Sequence, residues 1–378
     1  MKAIFAIAAS AALSATGSVT QFPGKTGCIN KDGSSGCTRG QAVGGLGVVA
    51  VSPDGRTVYA AGGVGSRGAL VVFARNTVTG SVTQLPGRAG CVLRVRTTGC
   101  SHGPGMETPA AVAISPDGTL VVTAANNGRA IGLFRRDPSG ALRAVGRVQN
   151  IAAPSGLAFR PDGRLLLVAS ARGLLAFRPS GSTLTRSSGP IPCAEFVGCT
   201  AVAFSPDGLY AYVVAGGGAH GSITTYAVSP GGQLVKTAAT NTHAIQQPRG
   251  IELSPDGQNI YVAASVSSGV AIFTRDPTTG LIAQTGCVTA TGSQGACAKA
   301  SGLAGAGSIV VSKDGKNVYI ASTVSNRVVV FTRSDNGSLQ ATQTLMPRGL
   351  RSVASVAISP DGRNVYAAGH GLAVLRRS

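Results

Sequence analysis

Gly250-Ile251-Glu252-Leu253-Ser254-Pro255-Asp256-Gly257-Gln258-Asn259-Ile260-Tyr261-Val262-Ala263 holds two short apolar runs joined by a tight turn, and the reading of that turn decides the fold. Proline presets the backbone angle at the second turn position, glycine accepts positive φ, and the aspartate side chain bonds the amides ahead of it. Beyond a Ser/Gly loop comes a third run, Val270-Ala271-Ile272-Phe273-Thr274-Arg275. The turn Asp276-Pro277-Thr278-Thr279-Gly280 then leads to a fourth, Leu281-Ile282-Ala283-Gln284. β-branched and aromatic residues fill the runs and no window carries a long helical period, so the unit is a four-stranded meander.

The same turn occurs seven times. Ser52-Pro53-Asp54-Gly55, Ser115-Pro116-Asp117-Gly118, Arg160-Pro161-Asp162-Gly163, Ser205-Pro206-Asp207-Gly208, Ser312-Lys313-Asp314-Gly315 and Ser359-Pro360-Asp361-Gly362 join the blade 5 tetrad. Successive tetrads start 63, 45, 45, 49, 58 and 47 residues apart, the range of propeller blades. Around the seventh, the chain has room for only three strands of that unit, ending at Leu372-Ala373-Val374-Leu375-Arg376-Arg377. The missing strand is at the other end: Thr16-Gly17-Ser18-Val19-Thr20-Gln21-Phe22-Pro23-Gly24 nearly duplicates Thr79-Gly80-Ser81-Val82-Thr83-Gln84-Leu85-Pro86-Gly87. The expected architecture is all-β: a seven-bladed propeller of four-stranded blades over residues 16–378, closed by the N-terminal strand so that no sheet edge stays free.

Eight cysteines form four local pairs, Cys28 with Cys37, Cys91 with Cys100, Cys193 with Cys199 and Cys287 with Cys297. All lie in crossovers from an outer strand to the next blade. Even number, short spacing and equivalent position point to disulfides and an oxidising compartment, and without a CxxC or nearby histidine series no zinc site is expected. Each closed loop contributes roughly 2 to 3 kcal/mol in the chain-entropy account. Residues 1–15, with Lys2 and an Ala/Ile/Phe run, read as a signal peptide, which predicts a secreted, periplasmic or cell-surface protein. The competing reading makes Ala3-Ile4-Phe5 the relic of a strand. No run is long enough to predict an integral membrane protein.

The net charge is +19. Such a charge raises nucleic acid as a partner, but no tryptophan or aromatic platform accompanies it, so no specific nucleic-acid partner is expected. Arg75, Arg136, Arg275 and Arg333 close third strands on the face of the tetrads. The expectation is a repeated Arg-to-Asp contact, with attraction to an anionic surface polymer as the functional alternative.

Of 14 acidic residues, seven are tetrad aspartates, Asp137, Asp276 and Asp335 sit in later turns, and Asp32 lies in the first cysteine loop. Glu107, Glu195 and Glu252 remain, with four histidines. His220 and His370 fall in second-to-third-strand loops and His102 and His243 in crossovers, so all are expected around the channel mouth. Glu252 replaces the small residue found at Ala50, Ala113, Ala158, Ala203, Val310 and Ala357, and a carboxylate there needs a partner. His220, His243, Arg249 and Glu252 are therefore the candidate ligand site, with His243, Arg249 and Glu252 as candidate catalytic groups. Gly63-Val64-Gly65-Ser66-Arg67-Gly68 matches a dinucleotide fingerprint but precedes a strand. Gly99-Cys100-Ser101-His102-Gly103 matches a nucleophile elbow but sits in a cysteine loop. No cofactor or metal is expected.

The tetrads, together with Val58-Tyr59-Ala60-Ala61, Ile260-Tyr261-Val262-Ala263, Val318-Tyr319-Ile320-Ala321 and Val365-Tyr366-Ala367-Ala368, resemble the YVTN-type repeats of the lactonase-like seven-bladed propellers. That superfamily includes 6-phosphogluconolactonase-like and carboxymuconate-cyclase-like proteins. The resemblance runs from Thr16 to Arg377. It implies a histidine-rich segment before an inner strand and Arg and Glu positions converging on the channel. Here no such segment contains histidine, and only blade 5 offers arginine followed by glutamate. The resulting expectation is a secreted, disulfide-braced module that binds a small molecule, glycan or protein on its crossover face without catalysis. The alternatives are a lactonase or lactonising enzyme using the blade 5 cluster, and a surface-assembly module using the third-strand arginines.

Overall fold

Each tetrad closes its hairpin as its residues dictate. In blade 5 the Gly257 amide donates to the Ser254 carbonyl at 2.8 Å, and Gly257 takes φ 69°, where a side chain would be strained. The Ser254 hydroxyl donates to Asp256 and accepts from the Asn259 amide at 2.9 Å, locking turn to strand. The computed structural model describes residues 17–63, 68–193, 198–217, 220–242 and 245–378; the expected signal peptide and the Gly-rich motif at 63–68 fall wholly or largely outside them.

Seven antiparallel sheets follow one another along the chain. Their inner strands are Leu46–Val51, Pro109–Ile114, Gly156–Phe159, Cys199–Phe204, Pro248–Leu253, Ala306–Val311 and Ser355–Ile358. In blade 5 the order continues through Asn259–Ala264, Gly269–Arg275 and Ile282–Thr289. Every residue of Asn259–Ala264 is buried, because both faces of the sheet pack on neighbouring blades. Between blades 4 and 5 the core is Tyr212, Val214, Ile251, Ile260, Val262 and Phe273. Apolar burial between blades is the main force holding the ring.

The ring closes as expected, over a longer segment. Val19–Gln21 pairs with the last strand through Val19↔Arg377, and Cys28–Asn30 continues the pairing through Cys28↔Ala373. A short 3-10 turn, Gly24–Gly27, separates the two pieces. Blade 1 repeats the device with Val82–Gln84, Gly87–Gly90 and Cys91–Leu93.

All four cysteine pairs are disulfides, as the spacing implied. Three of them brace an excursion the sequence did not reveal. After the first cysteine the chain turns back and lays a short strand parallel to the outer one: Thr38–Arg39, Ser101–His102 and Ala298–Lys299. Blades 7, 1 and 5 thereby exceed four strands. Cys193–Cys199 instead ties the end of one outer strand to the first residue of the next inner strand.

The expected Arg-to-Asp contact links neighbouring blades at five junctions, through Arg75–Asp361, Arg136–Asp54, Arg275–Asp207, Arg333–Asp256 and Arg377–Asp314. Tyrosine completes each one. Arg333 donates to Asp256 at 2.7 Å, to Asn259 at 2.6 Å and to the Tyr261 hydroxyl at 2.9 Å. That hydroxyl in turn donates to the Gly337 carbonyl at 2.9 Å. Burial pushes Tyr261 up to about 12, so it remains a donor. Partial burial raises the Asp256 carboxyl, but the Ser254 hydroxyl, the Gln258 amide and Arg333 outweigh that and hold it below the usual carboxylate range.

Two junctions depart from the pattern. At the position of Arg275, blade 3 has Pro179 and blade 4 has Val228, and Val122 and Leu167 replace the tyrosine in blades 2 and 3. Asp117 is held by Ser115 and Thr119. Asp162 is held by Arg160 of its own tetrad, at 2.6 and 2.8 Å, and Arg160 also reaches the Ser229 carbonyl of blade 4. With the Arg75 and Arg275 side chains only 1% exposed, the arginines of these contacts are tied up in the frame, as the Arg-to-Asp expectation required.

Candidate functional site

The first residues of the inner strands converge where a propeller leaves its axis open. They line a cavity of about 750 Å³, in the range of small-molecule sites. Its wall at one level is a ring of Gly47, Ala110, Ser155, Thr200, Arg249, Gly307 and Ala354, so a single arginine stands where the other blades present small residues. Arg249 is exposed and is the one charged side chain among the described residues lining this cavity. The serines nearby tie blade to blade. Ser355 accepts from the Val49 amide at 3.3 Å, Ser308 accepts from the Val356 amide at 3.2 Å, and Ser155 donates to the Thr200 carbonyl at 3.0 Å. Sequence reading missed these serines, of which Ser308 and Ser355 share one offset along the inner strand while Ser155 lies one residue earlier.

Glu252 lies one layer deeper, paired in register with Tyr261. Its neighbours around the axis are the alanines and valine expected from the repeat. Glu252 is only half-buried by surface area, yet the protein atoms crowded around its carboxyl desolvate it, and this pushes it up to about 7. Among the described residues it forms no hydrogen bond or ion pair. The expected pairing with Arg249 is absent, because three residues along an extended strand separate their backbones by roughly 10 Å.

His243 and Glu195 lie outside the described residues. His220 starts the third strand of blade 4, in register with Gly217, and its side chain is likewise outside the description. The structure thus brings Arg249 and Glu252 to one strand and leaves the histidines of the candidate set without a described role.

Other expected mouth residues sit elsewhere. His102 lies on the short parallel strand beside Cys91–Leu93, at the rim and away from the axis. Glu107 is paired with Arg94 at 2.7 Å. His370 occupies the tight turn between the second and third strands of blade 7 and lines a separate cavity with Asp32 and Arg351. Ser101 donates to the Arg88 carbonyl at 2.9 Å in a strand-bearing disulfide loop, which rules out an elbow there. No three His, Cys, Asp or Glu side chains cluster as metal ligands among the described residues, and no helix there is long and apolar enough to cross a membrane.

Known structures share this fold. The periplasmic gluconolactonase of Pseudomonas aeruginosa is 21% identical, with a TM-score of 0.63 over 85% of this chain and 92% of that one. A protein of Bacteroides uniformis provisionally named 6-phosphogluconolactonase is 24% identical, with a TM-score of 0.64 over 79% and 84%. Hydrazine synthase of Kuenenia stuttgartiensis is 18% identical, with a TM-score of 0.64 over 89% and 97%. Such identities establish the fold alone, whatever the activity of each relative. No curated protein sequence matches the chain significantly. The model of a family described as lactonase, 7-bladed β-propeller, matches residues 182–299 and 288–375, together more than half of the chain. The chain belongs to the lactonase seven-bladed β-propeller family.

Proposed function

We propose that this protein is an extracytoplasmic binding module that holds a small carboxylate-bearing ligand in the channel mouth without converting it. The observation that carries this reading is the composition of the mouth: one arginine in a ring of small residues, with no carboxylate or histidine among the described residues lining the cavity. A guanidinium fixes a carboxylate by paired hydrogen bonds, and the surrounding glycines, alanines and serines leave room for the rest of the ligand. Four disulfides support a location outside the cytoplasm, as does the expected signal at residues 1–15. The test is calorimetry on the oxidised protein with a panel of sugar acids and their neutral analogues. Acids bind, neutral analogues do not, and Arg249→Ala weakens binding by tenfold or more, about the worth of one charged hydrogen bond. Equal affinity for acids and neutral analogues would sink the reading.

One observation favours a second reading, a lactonase or lactonising enzyme. A carboxyl with its pKa near 7 is suited to protonate a leaving oxygen or activate water. Arg249 would then stabilise charge at the carbonyl oxygen. Lactone hydrolysis by the purified protein, lost in Glu252→Gln with folding intact, would favour this reading over pure binding.

A further inference from the structure

A second cavity, of about 620 Å³, lies at the rim between blades 1 and 2. Three segments bring arginines to it. Arg88 comes from the 3-10 turn Gly87–Gly90, Arg96 from the loop closed by Cys91–Cys100, and Arg143 from the outer strand Leu142–Val148. His102, Ser101 and Thr97 complete the polar wall, and no carboxylate lines it. Arg88, Arg96 and Arg143 are exposed and form no ion pair among the described residues, unlike the third-strand arginines of the frame.

The repeat supplies its own control. Blade 7 has the same excursion, with the Thr38 hydroxyl donating to the Lys25 carbonyl as Ser101 donates to that of Arg88. There the residue aligned with Arg96 is Gly33, Asp32 lies beside it, and the facing strand offers Thr83 in place of Arg143. The blade 5 excursion carries Gly292, Ser293 and Gln294. The scaffold therefore does not require three guanidiniums at this place. Like charges around one cavity repel each other, and a bound anion removes that cost.

We infer that the rim cavity between blades 1 and 2 binds an acidic saccharide, through sulfate or uronate groups on Arg88, Arg96 and Arg143 and sugar hydroxyls on Thr97 and Ser101. The disulfide sets the site in advance, since it fixes the loop bearing Arg96 against the strand bearing Ser101. This site is distinct from the axial mouth and independent of Arg249.

Calorimetry with a sulfated chondroitin disaccharide, its unsulfated uronate counterpart, neutral lactose and inorganic sulfate tests the inference on the full oxidised chain. The acidic disaccharides bind saturably and lactose does not. Arg96→Gln and Arg143→Gln each weaken binding about tenfold, and 1 M salt weakens it further by shortening the screening length to about 3 Å. Binding of the sulfated form alone assigns the site to sulfate esters, whereas equal binding of both assigns it to the uronate carboxylate. The inference is overturned if neither disaccharide binds or if inorganic sulfate binds as tightly as the sugars. It is overturned equally if the Arg96→Gln/Arg143→Gln double variant, with unchanged circular dichroism and Tm, keeps full affinity.

Discussion

A carboxyl in a ring of alanines must stay protonated or give up stability. Glu252 has its folded pKa raised from 4.5 to about 7. Between those values the folded state keeps a proton that the unfolded chain has released, so stability falls as pH rises through the window, and the full penalty stands above it. The shift corresponds to roughly 3 kcal/mol at most, less where channel water solvates the group. Glu252→Gln should raise Tm at pH 8 while changing it little at pH 4, and parallel thermal profiles for the two proteins across this range would refute the assignment. The tetrad aspartates run the opposite way: Asp256, held low, contributes stability that is lost as pH falls through its folded pKa. Alignment of the seven inner strands made Glu252 conspicuous in the sequence. The lack of an Arg249 contact was not readable, because proximity in sequence looked like contact and only the extended strand shows that it is not.

Between neighbouring blades the stabilising element is the Arg-Asp-Tyr contact, and its irregularities are as informative as its repeats. Arg160 stands where six blades have serine, and it holds Asp162 because Val228 of the next blade cannot. Arg160→Ser restores the common tetrad yet should destabilise the protein by about 1–3 kcal/mol, since charged hydrogen bonds across the junction are lost. Denaturant midpoints measure this, and an unchanged or higher midpoint would show that Arg160 acts alone. The Arg-Asp half of the contact was readable from strand ends and turns, which are local patterns. The tyrosine half was not: Tyr59, Tyr261, Tyr319 and Tyr366 read as family markers and Tyr212 was passed over, while the bonds of all five run to glycine carbonyls of the next blade, 68 to 302 residues away. The rim arginines were equally hidden, since Arg96 and Arg143 meet only after a blade has folded between them.

Across the whole ring, stiffness should follow the distribution of these contacts. Blade 3 lacks the full contact on both sides, so amides in Leu166–Ser170 should exchange faster with deuterium than those in Asn259–Ala264 or Asn317–Ser322, although all three strands are buried. Equal protection would mean that apolar packing alone sets the opening free energy. Blade number and closure were readable from the tetrads and the duplicated terminal segment; the fifth strands were not, because a two-residue parallel strand has no hydrophobic period. The seam between Val19–Gln21 and Gly371–Arg377 joins the earliest described strand to the last described one. A nascent chain halted anywhere before Gly371 consequently carries two bare edges, one at each end, available to any passing strand. Ribosomal stalling or premature termination ahead of that strand should therefore yield sticky fragments, since only its synthesis gives Val19–Gln21 a partner.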